Sequence, residues 1–316
     1  MSNTTVKQII DAISAAETVL VCGHVRPDGD CVGSAFAVRR ICEKLGKRAD
    51  AVCDADKPSS YAFLPDYDGF CAPRYKKYDL FIAVDCANDK RLGAYRNFLI
   101  EAKNSICIDH HPNDGYGKLN YIRSDACSTC EIIFDLFKDT GLIDNEIATM
   151  LYTGLSTDTG HFMHSNTTSK VFETAAALSE LGVDVGKTNH DIYCNRSLKK
   201  IKLMSRALDK IVLHENGRIA LMLIALDDLG SCGCTSEDTE GLIDYASSIS
   251  GVKISISMCE QQGSVYRVSL RSVSSDVSAV AAMFGGGGHK LAAGCLISGN
   301  CYDIMDKLIN AARNAL

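Results

Sequence analysis

The chain has 316 residues, 46% of them hydrophobic and 23% charged, with 25 glycines and 5 prolines. At ~150 residues per domain it has room for two cores, and its composition excludes collagen-like and Pro/Gly-rich disordered classes. A net charge of −6 excludes a generally basic nucleic-acid coat, but not an enzyme that holds a short nucleic acid through metals and a few local cations.

Residues 5–16 repeat apolar positions at helical spacing. No positive segment followed by an apolar core opens the chain, and no stretch reaches the ~18 apolar residues of a membrane span. A cytoplasmic location without membrane contact is the default expectation. The 15 cysteines are too sparse for a disulfide scaffold of this length. Most lie in apolar runs, as Cys22, Cys107 and Cys259 do, and read as small buried hydrophobes.

Val19–Cys22 is a short apolar run of the kind buried on both faces of a parallel sheet. A helix is predicted from Cys31 to near Gly46. Strand-like runs recur at 50–53, 80–84 and 105–108, and helical patterns at 129–138, 145–157 and 169–181. This alternation predicts an α/β domain over residues 1–190 with a mainly parallel sheet. Residues 191–211 read as a linker ending in an amphipathic helix. Leu198, Ile201, Met204, Leu208 and Ile211 share one face of it, and Arg196, Lys199, Lys202, Arg206 and Lys210 another. Residues 212–316 read as a smaller mixed α/β domain: strands at 218–226, 252–258 and 265–271, a hairpin at 260–264, and helices at 276–284 and 301–315 around a glycine-rich turn.

In parallel α/β sheets, functional groups collect just past the carboxyl ends of the strands. The segments at those places are His24-Val-Arg-Pro-Asp28-Gly-Asp30, Asp85, and Asp109-His110-His111, and a helix delivers Asp158. Taken singly, Asp-Gly-Asp is an ordinary turn and a lone Asp an ordinary helix cap. Three titratable side chains in a row at a strand end are costly without a partner. Gathered at one edge, the carboxylates repel unless cations neutralise them. Mixed Asp/His ligation without thiolate suits Mn²⁺ or Mg²⁺, with His favouring Mn²⁺. Asp28 and Asp30, alternating along an extended loop, should diverge and serve different ions. The donors are too many for one ion and suit two bridged by a carboxylate. Val32 breaks the EF-hand pattern.

Gly285–Gly288 is the other candidate, since glycines let backbone N–H groups approach an anion. It is neither a Walker A loop nor, at Leu291, a dinucleotide fingerprint. Arg271 shares a strand face with Arg267 and Ser269, and a guanidinium there can clamp a terminal phosphate. The pairs Cys127/Cys130 and Cys232/Cys234 have spacings that zinc or redox sites also use.

His24-x-x-x-Asp28-x-Asp30, Asp85, Asp109-His110-His111 and Asp158 together resemble the motifs of the DHH phosphoesterase superfamily. Val268–Ser272, Phe284–Lys290 and Ala292–Gly294 resemble its DHHA1 substrate-binding domain. The compact length is most similar to the nanoRNase and 3′-phosphoadenosine-5′-phosphate phosphatase (pAp phosphatase) branch, the NrnA type. The resemblance implies that His24, Asp28 and Asp85 hold one metal, and Asp30, Asp85, His110 and Asp158 a second, with Asp85 bridging. It implies that Asp109 orients the histidine pair and that His111 faces the substrate phosphate. It further implies that Arg271, Gly285, Gly286, Gly287, Gly288 and His289 bind the nucleotide. The implied cofactors are two Mn²⁺, with Mg²⁺ or another divalent ion as substitute. The implied substrates are RNA of two to five nucleotides and 3′-phosphoadenosine 5′-phosphate, and the resemblance leans toward a homodimer. Rival readings are a cyclic-di-AMP or pApA phosphodiesterase, a RecJ-like single-strand exonuclease, and a non-catalytic nucleotide sensor.

Overall fold

The computed structural model describes residues 4–55, 59–65, 67 and 70–316. The chain divides into two compact units, Met1–Asn195 and Arg196–Leu316.

The first unit opens with α1 (Val6–Ala15), started by a Thr5/Gln8 capping box and anchored by the buried Ile9 and Ile13. There follow β1 (Thr18–Cys22), α2 (Gly29–Lys44), β2 (Arg48–Val52) and β3 (Leu80–Val84). A 3₁₀ segment at Asp89–Tyr95 leads into α3 (Arg96–Glu101). Then come β4 (Asn104–Asp109), β5 (Leu119–Ile122), α4 (Thr129–Phe137), α5 (Asn145–Asp158), α6 (Ser169–Glu180) and α7 (Val185–Asn189). The five strands run in the order β2-β1-β3-β4-β5, all parallel. Every residue of β1 and β3 is buried, which is why both read as unbroken apolar runs.

Strand order decides where the site lies. The chain leaves β1 for β2 on one side, then returns to β3 on the other, so the crevice at the ends of β1 and β3 is the topological switch point. Pairing Cys22 with Ala83 and Val84 with Ile108 brings those ends level. Helices α2 and α5 approach so closely that only glycine fits between them. A Cβ on Gly33 would stand 2.3 Å from the Met150 carbonyl oxygen, and one on Gly154 would stand 2.6 Å from Asp30 Oδ1.

The second unit runs α8 (Leu198–Asp209), β6 (Val212–His214), β7 (Ile219–Ile224), α9 (Leu226–Cys232), α10 (Leu242–Ser247), β8 (Ile254–Gln261), β9 (Val265–Ser272), α11 (Val277–Ala282), β10 (Gly287–His289), β11 (Ala292–Ser298) and α12 (Cys301–Asn314). Its sheet has the order β10-β11-β9-β8-β7-β6 and is mixed: β7 and β8 are parallel, the other neighbours antiparallel. The hairpin expected at 260–264 joins β8 to β9 and turns through left-handed Gly263 and Ser264. Helix α8 belongs to this unit, with Leu203 and Ala207 packed against Met222 and Ile224. Its basic face is largely matched locally. Lys199 pairs with Asp238 at 3.0 Å, Lys210 with Asp228 at 2.6 Å, and Arg206 donates to Ser231 at 2.7 Å.

The fold adds strands the sequence pattern did not signal: β5, β6, β10 and β11. It also corrects the start of α2. The helix begins at Gly29, not Cys31, because the Asp28 carboxylate caps it by accepting the Cys31 N–H at 3.1 Å. Asp28 and Asp30 thus sit at a helix start, not on an extended loop. The cysteines among the described residues are free thiols, mostly buried, and only Cys71 and Cys194 are exposed. Cys127 and Cys130 are core residues. No helix of the described residues is long and apolar enough to cross a membrane.

Candidate metal centre

Four chain segments meet at the switch point. Directly after β3, Asp85 adopts a left-handed backbone, φ +56°, which costs a non-glycine residue about 1–3 kcal/mol. Its N–H donates to Ile108 O at 3.1 Å, so the β3–β4 ladder continues through it and holds it there. The carboxylate is almost fully buried and lies among three imidazoles: His24 Nε2 at 3.3 Å, His110 Nε2 at 3.5 Å and His111 Nδ1 at 3.4 Å.

His24 is fixed from its other side. Its Nδ1 lies 2.8 Å from Val25 O, so the proton there points at a carbonyl and Nε2 turns to Asp85 and, at 3.7 Å, to Asp28. Burial disfavours a charged His24, but Cys31, Asp28 and Asp85 outweigh it and hold the imidazolium far above its usual range. Burial likewise opposes ionisation of Asp28, yet His24 keeps that carboxyl well below the usual range.

Asp30, in the first turn of α2, faces the other way. The start of α4 supplies its partners: Thr129 N–H at 2.6 Å to one oxygen and Cys130 N–H at 2.8 Å to the other. The divergence of Asp28 and Asp30 is therefore real, but it arises from helix geometry. His110 Nε2 lies 3.3 Å from Asp158 Oδ2. Asp158 is the last residue of α5, a helix end where the macrodipole disfavours a carboxylate. Burial, with Asp85 and Asp28 adding repulsion, raises the Asp30 carboxyl well above its ordinary value. Burial with Asp30, Asp28 and Asp85 does the same at Asp158. Burial pulls the His110 imidazole down, opposed in part by Asp85.

Asp109 orients His111 and is itself oriented. It lies 2.8 Å from His111 Nδ1 and accepts the His111 N–H at 3.1 Å and Asn113 Nδ2–H at 2.8 Å. Burial opposes a charged His111, but the bond to Asp109 holds its imidazole above the usual value.

The donors form three overlapping groups: His24, Cys31 and Asp85; Asp85, His110 and His111; Asp30, His110 and Asp158. Within each, the ligand atoms lie within 4.8 Å of one another. Asp85 and His110 each belong to two groups. Crowded carboxylates, of which Asp30 and Asp158 are pushed up by burial and mutual repulsion, beside imidazoles oriented by a carbonyl and a carboxylate, are a donor set that a divalent cation fits.

In the second unit, Arg271, Ala292 and His289 lie in one row across β9, β11 and β10. Two of the four glycines are dictated by packing. A Cβ on Gly286 would stand 2.2 Å from Gly294 O, and Gly288 has φ +145° with Ala292 O 2.6 Å from its would-be Cβ. The N–H groups of Gly285 and Gly286 donate to Ala282 O and Ala281 O, so they close the end of α11 and are not offered to an anion. Arg267 is committed within the unit to Ser236 O and Thr239 Oγ1. Arg271 keeps only a 3.8 Å approach to Asp244 and a bond to its own strand.

Sequence reasoning did not single out Thr129, Asn113 or Cys31 for this site, and marked Cys130 only for its spacing from Cys127. Ser128-Thr-Cys-Glu131, a helix-start pattern, was the available signal for Thr129 and Cys130, and Ser128 does cap α4.

The geometry thus gathers, at the carboxyl edge of a parallel sheet, acidic and histidine side chains that could hold a divalent cation. A model of the DHH family N-terminal domain matches residues 18–155, and a model of the DHHA1 domain matches residues 222–316. The chain belongs to the DHH family and carries a DHHA1 domain in its second half. It is similar to the probable bifunctional oligoribonuclease and PAP phosphatase NrnA of Streptococcus mutans, at 31% identity over 310 residues and 96% of each chain. It is also similar to the bifunctional oligoribonuclease and PAP phosphatase NrnA of Bacillus subtilis, at 30% identity over 307 residues and 96% of each chain. Among solved structures, an exopolyphosphatase-related protein from Bacteroides fragilis superposes with a TM-score of 0.92 at 23% identity, covering 98% of this chain and 95% of that one. That likeness shows the shared fold.

Proposed function

We propose that this chain is a metal-dependent phosphoester hydrolase that cuts very short RNA to 5′-mononucleotides and converts 3′-phosphoadenosine 5′-phosphate to AMP. One observation carries the reading: the Asp85 carboxylate lies in two neighbouring donor groups, where its two oxygens could serve two ions. The relatives named above, covered over almost their full length, carry both activities in their names. His24, Asp28 and Asp85 would hold one ion, and Asp30, Asp85, His110 and Asp158 the second. Mn²⁺ suits this Asp/His mixture better than Mg²⁺.

When bound, such ions supply Lewis acidity and lower the pKa of water at the phosphorus. The chain's own residues do the remainder. His111, held through Nδ1 by Asp109, would present Nε2 toward a phosphoryl oxygen as charge builds there. Asp109, tied to Asn113 and to the His111 backbone N–H, holds the ring at Nδ1, so that Nε2 would face the substrate. Arg271 and His289 would hold the nucleotide's phosphates, with Gly287 and Gly288 giving close backbone approach. A substrate this short explains a chain of net charge −6, since there is no long polyanion to follow.

The test is hydrolysis by the purified chain with Mn²⁺ and then with chelator. The panel is a 5′-phosphorylated diadenylate, a pentamer, a long oligomer, 3′-phosphoadenosine 5′-phosphate, cyclic-di-AMP and pyrophosphate. Fast, chelator-sensitive turnover of the dimer and the bisphosphate is expected. Preference for cyclic-di-AMP, for the long oligomer or for pyrophosphate would replace the proposed substrate. Nucleotide binding without turnover in any metal would make the chain a sensor.

A further inference from the structure

We infer that Cys31 is an additional ligand of the ion held by His24 and Asp85, so that this centre includes a soft sulfur donor. The inference rests on the metal-centre reading above and replaces the thiolate-free ligand set expected from sequence.

Three independent observations support it. First, Cys31 Sγ lies with a nitrogen of His24 and an oxygen of Asp85 in one fully buried group of mutually close donor atoms. Second, the sulfur's bonding differs from that of its neighbours. The thiols of Cys22, Cys53 and Cys130 donate to backbone carbonyls, of Gly23 at 3.3 Å, Ala55 at 3.9 Å and Asp30 at 3.7 Å. Cys31 Sγ instead accepts the backbone N–H of His24 at 3.2 Å. An N–H directed at sulfur stabilises sulfur bearing negative charge, as metal-bound thiolates do. Third, the backbone has been cleared for this atom. A Cβ on Gly23 would stand 2.4 Å from Cys31 Sγ, and the backbone of Gly23 is not in the left-handed region. Glycine there leaves room for the sulfur in the position it occupies beside His24.

Position explains how sulfur enters a carboxylate site. Asp28 caps α2 through the Cys31 N–H, so the helix start that aims Asp28 at His24 also places Cys31 beneath the His24 backbone. A ligand set of imidazole, carboxylate and thiolate shifts preference from Mg²⁺ toward thiophilic divalent ions such as Co²⁺, Zn²⁺ and Cd²⁺.

The experiment is a Co²⁺ titration of the chelator-treated full chain, read by near-ultraviolet absorption and by metal analysis, for wild type, Cys31→Ser and Cys31→Ala. Circular dichroism establishes that each variant is folded, and the alanine variant serves if the serine one is not. Wild type should show a thiolate-to-cobalt charge-transfer band. Loss of the band in a folded variant, with cobalt retained or lost, supports ligation by Cys31. A band that persists in the variants assigns the sulfur to another of the cysteines and overturns the inference. Cobalt bound by wild type with no such band overturns it too, while leaving the Asp/His centre standing. No cobalt bound by wild type removes the metal centre itself, and the inference with it.

Discussion

The contact between α2 and α5 makes one substitution sharply diagnostic. In Gly154→Ala the new methyl would stand 2.9 Å from Asp30 Cα and 2.6 Å from Asp30 Oδ1. Ordinary carbon contacts begin near 3.4 Å, so the helices must part by about 0.5 Å at the backbone, and the Asp30 carboxylate and the Cys130 thiol, 2.3 Å from the new methyl, must give way as well. The obstruction includes main chain, so no rotamer change removes it. Overpacking of this kind costs about 1–3 kcal/mol, and the better helix propensity of alanine returns about 1 kcal/mol. A net loss of about 1 kcal/mol lowers Tm by roughly 2–4 °C in a unit of this size. Activity should suffer far more, because displacement of a centre residue by close to 1 Å costs on the order of 10²-fold in rate. The assay pairs thermal unfolding with hydrolysis of 3′-phosphoadenosine 5′-phosphate at saturating Mn²⁺. A variant with a slightly lowered Tm and turnover within twofold of wild type would refute the claim that Asp30 is positioned through this contact.

Gly230 provides the opposite case. It lies inside α9, exposed, with open space around its would-be Cβ and no left-handed backbone, so Gly230→Ala should raise stability by about 0.5–1 kcal/mol in denaturant unfolding and leave turnover unchanged. Asp85→Asn keeps a residue type that tolerates φ +56° but removes the shared charge. Bound divalent metal should fall, turnover should drop on the order of 10²–10³-fold or more, and circular dichroism should show the fold retained. Asp79 accepts the N–H groups of Glu17 and Thr18, each at 3.1 Å, and pairs with Lys103. Lys103 and then the Thr18 N–H hold its carboxyl below the ordinary value of 3.8. A depressed folded-state pKa contributes stability above that ordinary value and loses it as pH falls below. Asp79→Asn should therefore be less stable than wild type at neutral pH, with the gap closing in acid. A gap that stays constant down to the acid limb would remove Asp79 from that role.

What could be read from sequence followed from what side chains must bury. Val19–Cys22 and Leu80–Val84 announce themselves because both faces of those strands are covered. Leu119–Ile122 does not, because at the sheet edge all four residues are half-buried and polar Asn120 is acceptable. Gly287–His289 carries no pattern at all, since two of its three residues lack a side chain. At the centre, carboxylates and imidazoles were legible because charged groups at strand ends need a partner. The N–H groups of Thr129 and Cys130 were not, because almost any residue supplies a backbone donor. Cys31 was concealed among cysteines that do serve as small hydrophobes.

The grip of α4 on Asp30 has a consequence for how the centre could change over time. Both carboxylate oxygens are held by peptide N–H groups at the start of that helix. Substitution at position 129 leaves such a donor in place for every residue except proline. The hold on Asp30 is therefore independent of the side chain at 129, whereas the buried Thr129 hydroxyl has a second task, donating to Asp85 Oδ1 at 3.3 Å. Thr129→Pro removes both the N–H to Asp30 and the hydroxyl to Asp85, whereas Thr129→Val removes only the hydroxyl, so the difference between the two variants reports the dependence on the N–H.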